Sequence, residues 1–374
     1  MKLTMQVRLQ PTTEQVARLL ATMERFNAAC DAIAEVAFRE RCANKVRLQK
    51  FVYHGIRRDF GLSAQMTVRA IAKVTEVYKR DKGIRPRFRS HGAIVYDPRI
   101  LSWKGPDRVS LLTMEGREVM PYVVGAYHAR LAHRIRGQAD LVHHDGLFFL
   151  YVAVDVEEPE PFEPQGFLGV DLGLKNLAAD SDGGVYTGAH LANLRNRHAR
   201  LRAKLQSKGT KSAKRLLRRR RRKEGRFSRD LNHRISKAIV RKAHDTGRGV
   251  ALEDLKGIRG RVTVRRPQRR AHHSWPFFQL RAMIAYKARL QGVPVVFVDP
   301  QDTSRTCPEC GVADRRNRPR RDAFLCQHCE HAAPADFAAA RNIAAKARVP
   351  SEAAVMPPHA GLSHSGRAPA SSVL

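Results

Sequence analysis

Three acidic residues in separate segments have the sequence context of a metal-dependent active site. Asp171 and Glu253 each end a short apolar run, and Asp336 begins an alanine-rich segment. Two carboxylates about 4 Å apart repel by roughly 4 kcal/mol at an effective dielectric of about 20, so such a cluster requires cations. Oxygen ligands select Mg²⁺ or Mn²⁺, and two such ions can activate a water and stabilise the leaving oxygen of a phosphodiester. Asp171 would then bridge both ions, and each of the other two acids would hold one.

Each acid also has a purely structural interpretation. Asp171 can accept backbone N–H bonds in the turn that follows it. Asp336 can stabilise the start of its helix, where the helix dipole favours a carboxylate. The catalytic interpretation therefore depends on whether the chain brings all three acids to one place.

The elements around these acids predict that they do meet. Phe167 to Val170 is typical of a buried strand, and after a tight turn Asn176 to Asp180 is typical of a second one. Gly249 to Leu255 is again a short buried strand that ends in an acid. It follows a long basic crossover, so it should run parallel to the first strand. Active groups gather at the carboxyl ends of such strands, which would bring Glu253 beside Asp171.

Further elements complete this predicted sheet. Asp254 is a weaker candidate than its neighbour Glu253, because side chains alternate along a strand. Trp275 to Gln291 has the pattern of an amphipathic helix, and Val293 to Asp299 that of a third strand.

Four of the six cysteines have the spacing of a zinc site. Two CxxC pairs are separated by 15 residues, which is typical of a four-cysteine zinc ribbon. The predicted ligands are Cys307, Cys310, Cys326 and Cys329. Four thiolates leave no open position, so the zinc is expected to be structural. His328 and His331 are alternative ligands, while Cys30 and Cys42 lie in helical pattern and are expected to be apolar core residues.

The chain is strongly basic, with 69 Lys and Arg against 35 Asp and Glu and a formal net charge of +34 over 374 residues. Such a charge attracts polyanions over long range, so nucleic acid is the expected partner. The sequence has no stretch near the roughly 20 apolar residues of a membrane-spanning helix. No apolar leader segment is visible either, so we expect a cytoplasmic, nucleoid-associated protein with no membrane partner.

Two segments are the best candidates for contact with nucleic acid. Residues 85 to 89, RPRFR, place an aromatic ring between arginines, which suits stacking and phosphate contact, although a solvated loop is the alternative. Arg218 to Lys223 places six cations in succession. Like charges this dense repel unless a polyanion lies among them, although a solvated helix face is the alternative. The predicted contacts are Arg85, Arg87, Phe88, Arg218, Arg219, Arg220, Arg221 and Arg222.

The amino-terminal half has the pattern of a small β-domain with helices inserted in it. Met1 to Gln10 alternates apolar and polar residues as a half-buried strand does. Thr12 and Gln15 form a capping-box signature that begins a helical insert extending to about Lys82. Four further strands are predicted at Val109 to Thr113, Arg117 to Pro121, Ala126 to His133 and Gly146 to Val156.

The basic crossover between the first two strands of the sheet is predicted to be helical. His198 to Leu205 and Lys211 to Arg222 are rich in Arg, Lys, Ala and Leu, and Gly209 with Thr210 separates them into a hairpin. From Leu231 to Lys242 the apolar spacing returns, so this part should pack on the sheet.

Taken in order, four segments resemble one known family. GVDLGLKNLAADSDG, VALEDLKG, the Ser304 to Cys329 ribbon and ADFAAARNIAAKA resemble the TnpB family of transposon-encoded RNA-guided DNA nucleases, compact relatives of type V CRISPR effectors. The resemblance is strong from Gly166 to about Arg348. In the amino-terminal half it depends on the opening strand, LQPTTEQ and RPRFR.

The resemblance implies an α+β multidomain fold. A β-barrel wedge domain would comprise residues 1–10 and 91–160, interrupted by a helical recognition domain in 11–90. A ribonuclease-H-like (RuvC) α/β nuclease domain would comprise 166–303, including a basic helical hairpin at 190–246, and 333–348. The zinc ribbon at 304–332 would be inserted in it, and 349–374 would be a disordered tail.

The resemblance also implies an activity linked to transposable elements and DNA recombination. A guide RNA transcribed from the transposon end would pair with target double-stranded DNA, and the protein would read a short motif beside the target. Asp171, Glu253 and Asp336 would be the nuclease triad, and the cofactors would be Mg²⁺ or Mn²⁺, structural Zn²⁺ and the guide RNA.

This chain departs from the family pattern near the third acid. Many relatives read Asp-Arg-Asp-x-Asn-Ala-Ala there, whereas Pro334 replaces the first Asp and Ala338 the Asn. The supporting polar contacts are therefore expected to differ. The alternatives are a guide-bound DNA-binding regulator that does not cut, and a guide-independent nuclease or transposase.

Overall fold

The computed structural model describes residues 1–220, 222–255 and 277–348. The chain divides into two compact units, Met1–Val156 and Glu157–Leu374. Within the described ranges, no helix is both long enough and apolar enough to cross a membrane. The predicted tail at 349–374, the predicted contact Arg221 and the start of the helix predicted at Trp275 lie outside the described residues.

The first unit contains one seven-stranded antiparallel sheet. Its strands are β1 Lys2–Leu9, β2 Ile94–Tyr96, β3 Leu101–Lys104, β4 Arg108–Thr113, β5 Gly116–Val123, β6 Ile135–His144 and β7 Leu147–Asp155. Strand β1 lies at the centre, where Met5, Val7 and Leu9 are buried, as the alternation predicts. The order runs β2-β6-β7-β1-β5-β4-β3, so ladder bonds among the described residues leave an edge at β2 and at β3. Closure into a barrel stays a prediction.

Three helices follow β1, at α1 Thr13–Arg39, α2 Lys45–Phe60 and α3 Ala64–Arg80. The predicted capping box is confirmed, because Thr12 accepts from the backbone N–H of Gln15 and the Gln15 side chain accepts in return from the Thr12 N–H. The buried faces of α1 and α3, including Phe26, Cys30 and Val74, belong to the same apolar core as the sheet.

One predicted strand of this unit is wrong. Ala126 to His133 forms a short helix, α4 Ala126–Ala129, and a single 3₁₀ turn at Ala132–Arg134. Tyr127 is 57% exposed, so the apparent alternation has no core to face. The segment is rich in alanine, which favours helical turns. The strand begins next, at Ile135. Strand β6 itself, Ile135–His144, and the two shortest strands of this unit, β2 and β3, were not predicted.

The second unit is built on a five-stranded sheet of order β10-β9-β8-β11-β12. Its strands are β8 Phe167–Asp171, β9 Asn176–Asp180, β10 Val185–Thr187, β11 Gly249–Glu253 and β12 Val295–Val298. Strands β8, β11 and β12 are parallel, and β9 returns antiparallel to β8. The predicted hairpin, the parallel crossover and the third strand are therefore confirmed.

Helices cover both faces of this sheet. They are α5 Ala189–Lys208, α6 Lys211–Arg220, α7 Lys223–Asp245, α8 Phe277–Arg289 and α9 Ala335–Arg348. On one face, Ile239 of α7 and Ile284 of α8 pack on Val170. On the other face, Ile343 of α9 packs on Val296. The ribbon hairpin, β13 Ala323–Leu325 with β14 Ala332–Pro334, immediately precedes α9.

Candidate active site

Asp171 and Glu253 end neighbouring parallel strands. The register pairs Leu252 with Val170, so the next residue on each strand is one of the two acids. Both carboxyl groups are half-buried. The predicted placement of Glu253 beside Asp171 follows from this register, while Asp254, the weaker candidate, forms an ion pair with Arg281.

Asp336 is brought to the same end of the sheet by α9. This helix lies so close to β8 that a Cβ on Gly169 would be 2.0 Å from Ala340 O and 2.6 Å from Ala344 N. Only glycine on the strand and small residues on the helix allow this approach, which explains the alanine-rich sequence. Asp336 lies in the first turn of α9 and accepts a hydrogen bond from Asn176 Nδ2 at 2.9 Å.

The charges of the three acids interact. Burial raises the pKa of Asp171 to about 7, and the carboxylates of Glu253 and then Asp336 act in the same direction, while Arg318 of the ribbon acts in the opposite one. Burial likewise raises the pKa of Glu253, against the hydrogen bond from Thr303 and the charge of Lys346. The ionised forms of these two carboxyl groups are therefore disfavoured in the folded chain, and a bound cation would stabilise them.

The three acids do not form one tight ligand set. Within the described ranges, only the four ribbon cysteines form a group of three or more Cys, His, Asp or Glu whose ligand atoms all lie within 4.8 Å of one another. The donor chemistry of the acids nevertheless fits hard divalent ions, because every candidate ligand atom is a carboxylate oxygen. The arrangement of two ions with Asp171 shared stays a prediction.

The ribbon cysteines fit a structural zinc ion. The Sγ atoms of Cys307 and Cys329 are 3.5 Å apart, as are those of Cys310 and Cys326. Four thiolates at about 2.3 Å from a tetrahedral Zn²⁺ would be about 3.8 Å apart, so this geometry needs little adjustment. The group includes neither His328 nor His331.

The predicted nucleic-acid contacts differ in their exposure. Arg85 and Arg87 are exposed, whereas the Phe88 ring packs on the core of the first unit with Lys73 Nζ 4.9 Å from its centroid. Pro86 and Phe88 therefore point inward while the arginines point outward, and stacking by Phe88 has no support here. Arg218 and Arg219 are exposed at the end of α6, Arg220 there is half-buried, and Arg222 is exposed at the start of α7.

Four supporting residues were not predicted. They are Gly169, Asn176, Thr303 and Arg318. Gly169 had a signal, because a glycine inside a short apolar strand often marks a close backbone approach. The other three are polar residues whose partners are distant in sequence, and nothing in their local pattern distinguishes them.

Two family models match the chain, almost entirely within the second unit. "Probable transposase" matches residues 151–258, and "Cas12f1-like, TNB domain" matches residues 277–343. TnpB-like protein MJ0751 of Methanocaldococcus jannaschii is 29% identical over 206 residues, which cover 52% of this chain and 72% of that protein. The putative RNA-guided DNA endonuclease InsQ of Escherichia coli is 25% identical over 304 residues, or 75% of this chain and 73% of that one.

Other similarities are shorter or concern the fold alone. The CRISPR-associated endodeoxyribonuclease Cas12f1 of Sulfoacidibacillus thermotolerans is 40% identical over 119 residues, covering 32% of this chain. The chain spans only 27% of that Cas12f1 and 21% of the one from Syntrophomonas palmitatica. The structure of the mini-RNA-guided endonuclease CRISPR-Cas_phi3 superposes with a TM-score of 0.56 at 10% identity, over 93% of this chain and 92% of that one. The chain is therefore similar to TnpB-like proteins and to Cas12f nucleases, in agreement with the motifs that resemble the TnpB family.

Proposed function

We propose that this protein is an RNA-guided DNA endonuclease of a transposon, which cuts target DNA by metal-dependent phosphodiester hydrolysis. The observation that carries the proposal is the convergence of Asp171, Glu253 and Asp336 at the carboxyl end of one sheet from three separate segments. The relatives named as RNA-guided endonuclease and endodeoxyribonuclease support the same reaction class.

The finer domain assignment is part of this proposal. The five-stranded sheet with helices on both faces would be the RuvC-type nuclease domain, and the four-cysteine segment its inserted zinc ribbon. The seven-stranded sheet would be the wedge domain, and α1 to α3 the recognition helices. Guide RNA and target double-stranded DNA would be the partners, which the net charge of +34 favours.

The three acids would hold two Mg²⁺ or Mn²⁺ ions, with Asp171 shared. Bound ions of this kind activate a water and stabilise the leaving oxygen of a phosphodiester. The chain's own residues orient the acids: Asn176 holds one oxygen of Asp336, and Thr303 holds one oxygen of Glu253. Arg318 adds a positive charge near Asp171, where a scissile phosphate would lie.

Arginines of both units would contact phosphate groups. Arg85 and Arg87 of the first unit, and Arg218, Arg219, Arg220 and Arg222 of the second, are the proposed contacts. Arg218, Arg219 and Arg220 have no acidic neighbour on their own helix, since α6 contains no acidic residue, whereas α7 carries Glu224 in its first turn.

The test begins with the RNA that co-purifies with the full-length protein. Sequencing this RNA would identify the guide, and a plasmid that carries the matching sequence in a library of flanking motifs would then be challenged with the complex. We expect cutting that requires RNA and Mg²⁺, and Asp171→Ala should bind the target with unchanged affinity without cutting it.

Two results would contradict the proposal in different ways. Cutting by RNA-free protein would identify a guide-independent nuclease. Guided binding without cutting by the unmodified protein would identify a DNA-binding regulator.

A further inference from the structure

The segment from Asp299 to Thr306, which leads from β12 into the zinc ribbon, is clamped to helix α9 by hydrogen bonds. Asn342 of α9, which is buried, donates both of its amide protons to this segment, to Thr303 O at 2.8 Å and Thr306 O at 2.7 Å. One turn further, Lys346 Nζ donates to Asp299 O at 3.1 Å and to Gln301 O. Four backbone carbonyls of the segment are therefore held by two side chains of one helix.

The clamp fixes a hydroxyl against an acid of the active site. Thr303 is 3% exposed, and its Oγ1 lies within hydrogen-bonding distance of Glu253 Oε1 and of Pro300 O. A hydroxyl carries one proton and can donate to only one of these acceptors. A carboxylate is the stronger acceptor, because hydrogen bonds to charged groups are shorter and roughly twice as strong.

We propose that Thr303 is a positioning residue that orients Glu253 for a divalent ion, and that Asn342 holds Thr303 in this role. The inference rests on the proposed nuclease function. By engaging Oε1, the hydroxyl fixes the plane of the carboxylate and leaves Oε2 for the ion. Residues that orient ligands in this way typically change metal affinity about 10- to 100-fold when they are replaced.

The arrangement links the positions of two acids through one helix. Helix α9 carries Asp336 in its first turn and Asn342 further along, and the same helix is packed on the glycine of β8. A displacement of α9 would therefore move Asp336 directly and Glu253 through Thr303. Neither effect requires that Thr303 or Asn342 touch the DNA.

Three substitutions separate this role from a general effect on the fold. Thr303→Val keeps the shape and removes the proton, whereas Thr303→Ser keeps the proton and removes a methyl group. The matched control is Thr306→Val, because Thr306 Oγ1 donates only to Asp302 O within the same segment, at 2.9 Å. Zinc content and the temperature of thermal unfolding would establish that each variant is folded.

The measurement is Mn²⁺ binding to the full-length protein, read from the electron paramagnetic resonance signal of free Mn²⁺. We expect Thr303→Val to weaken binding about 10-fold or more, and Thr303→Ser and Thr306→Val to stay within about twofold of the unmodified protein. In cleavage assays, Thr303→Val should need more Mg²⁺ for half-maximal rate and should recover rate at saturating Mg²⁺.

Several outcomes would overturn the inference. Unchanged Mn²⁺ affinity in Thr303→Val would exclude the positioning role while leaving the nuclease proposal intact. Equal defects in the Ser and Val variants would show that packing, not the hydroxyl, matters. If Thr303→Val does not fold, Asn342→Ala should show the same weaker binding, and its failure to do so would count against the clamp. No Mn²⁺ binding by the unmodified protein would overturn both proposals.

Discussion

Asn176 Nδ2 donates a hydrogen bond of 2.9 Å to Asp336 Oδ2, across 160 positions of sequence. Asn176 is the first residue of β9, directly after the turn that follows Asp171. Asn176, which orients Asp336, therefore lies in the same hairpin as Asp171, because β8 ends at Asp171 and β9 begins at Asn176.

Replacing Asn176 should slow cutting without unfolding the protein. Asn176→Ala removes the donor that orients Asp336, and we expect the single-turnover cleavage rate to fall about 10- to 100-fold. Asn176→Asp should be worse, because it adds a negative charge beside Asp336. The rates would be measured with saturating guide and Mg²⁺, and a wild-type rate in the Ala variant would show that this hydrogen bond does not support catalysis.

Gly169 should tolerate no side chain. The methyl group of Gly169→Ala would clash with the backbone of α9 at Ala340 O, so we expect the free energy of unfolding to fall by about 1 to 3 kcal/mol and cutting to be abolished. Gly225→Ala on α7 is the control, since its Cβ would meet no atom within 4 Å and alanine favours helix, and it should be neutral or stabilising. Urea unfolding measures both, and an unaltered stability in Gly169→Ala would mean that α9 can move away from β8.

The stability of the protein without added divalent ions should fall as the pH rises because of Asp171. Its pKa is about 7 in the folded chain, above the ordinary value of about 4 that applies when unfolded. The folded state therefore binds the proton more tightly, and this stabilising contribution is present below about pH 4 and is lost as the pH rises to about 7.

Asp171→Asn tests this pH dependence, because an amide does not ionise. The quantity to follow is the free energy of unfolding of the Asn variant minus that of the unmodified protein. This difference should increase by an amount on the order of a few kcal/mol between about pH 4 and 7, and then level off. Added Mn²⁺ should stabilise the unmodified protein at about pH 7.5 and not the variant. A difference that does not depend on pH would mean that folding does not raise the pKa of Asp171.

The sequence was sufficient for four of the five strands of the second unit's sheet, because each signal there is local; the short edge strand β10 was not predicted. Phe167 to Asp171 and Gly249 to Glu253 are short apolar runs bounded by turns, and the long helical crossover between them favours the parallel arrangement that is observed. In the first unit, Ala126 to His133 showed alternation without a core behind it, and sequence alone cannot tell an exposed segment from a buried one.

The supporting contacts of the site could not be predicted for a different reason. Thr303 reaches Glu253 from 50 residues away, and Asn342 reaches Thr303 from 39 residues away. Such contacts depend on the angle at which α9 crosses the sheet, which no periodicity encodes. Phe88 shows the converse case, because composition predicted a stacking residue and the fold uses its ring as core.

Zinc removal should unfold the ribbon and abolish cutting. The ribbon has a small apolar cluster, so metal binding is expected to supply most of its folding free energy. Cys329→Ser should reduce the zinc content from about one ion per chain to near zero, whereas Cys42→Ala, at a buried cysteine of the first unit, should retain it. Elemental analysis and cleavage assays check this, and a zinc-free variant that still cuts would separate the ribbon from the reaction.

The arginines at the end of α6 should contribute affinity for nucleic acid in proportion to the phosphates they neutralise. Arg218→Ala and Arg219→Ala should each weaken guide RNA binding and reduce the slope of log affinity against log salt by about one, because each variant neutralises one phosphate fewer and so displaces one counterion fewer on binding. Arg39→Ala is the control, since Arg39 is 68% exposed on α1 and pairs with its neighbour Glu40. Fluorescence anisotropy with labelled guide RNA at several salt concentrations measures both quantities. Equal slopes for all four proteins would show that the arginine run is a solvated helix face.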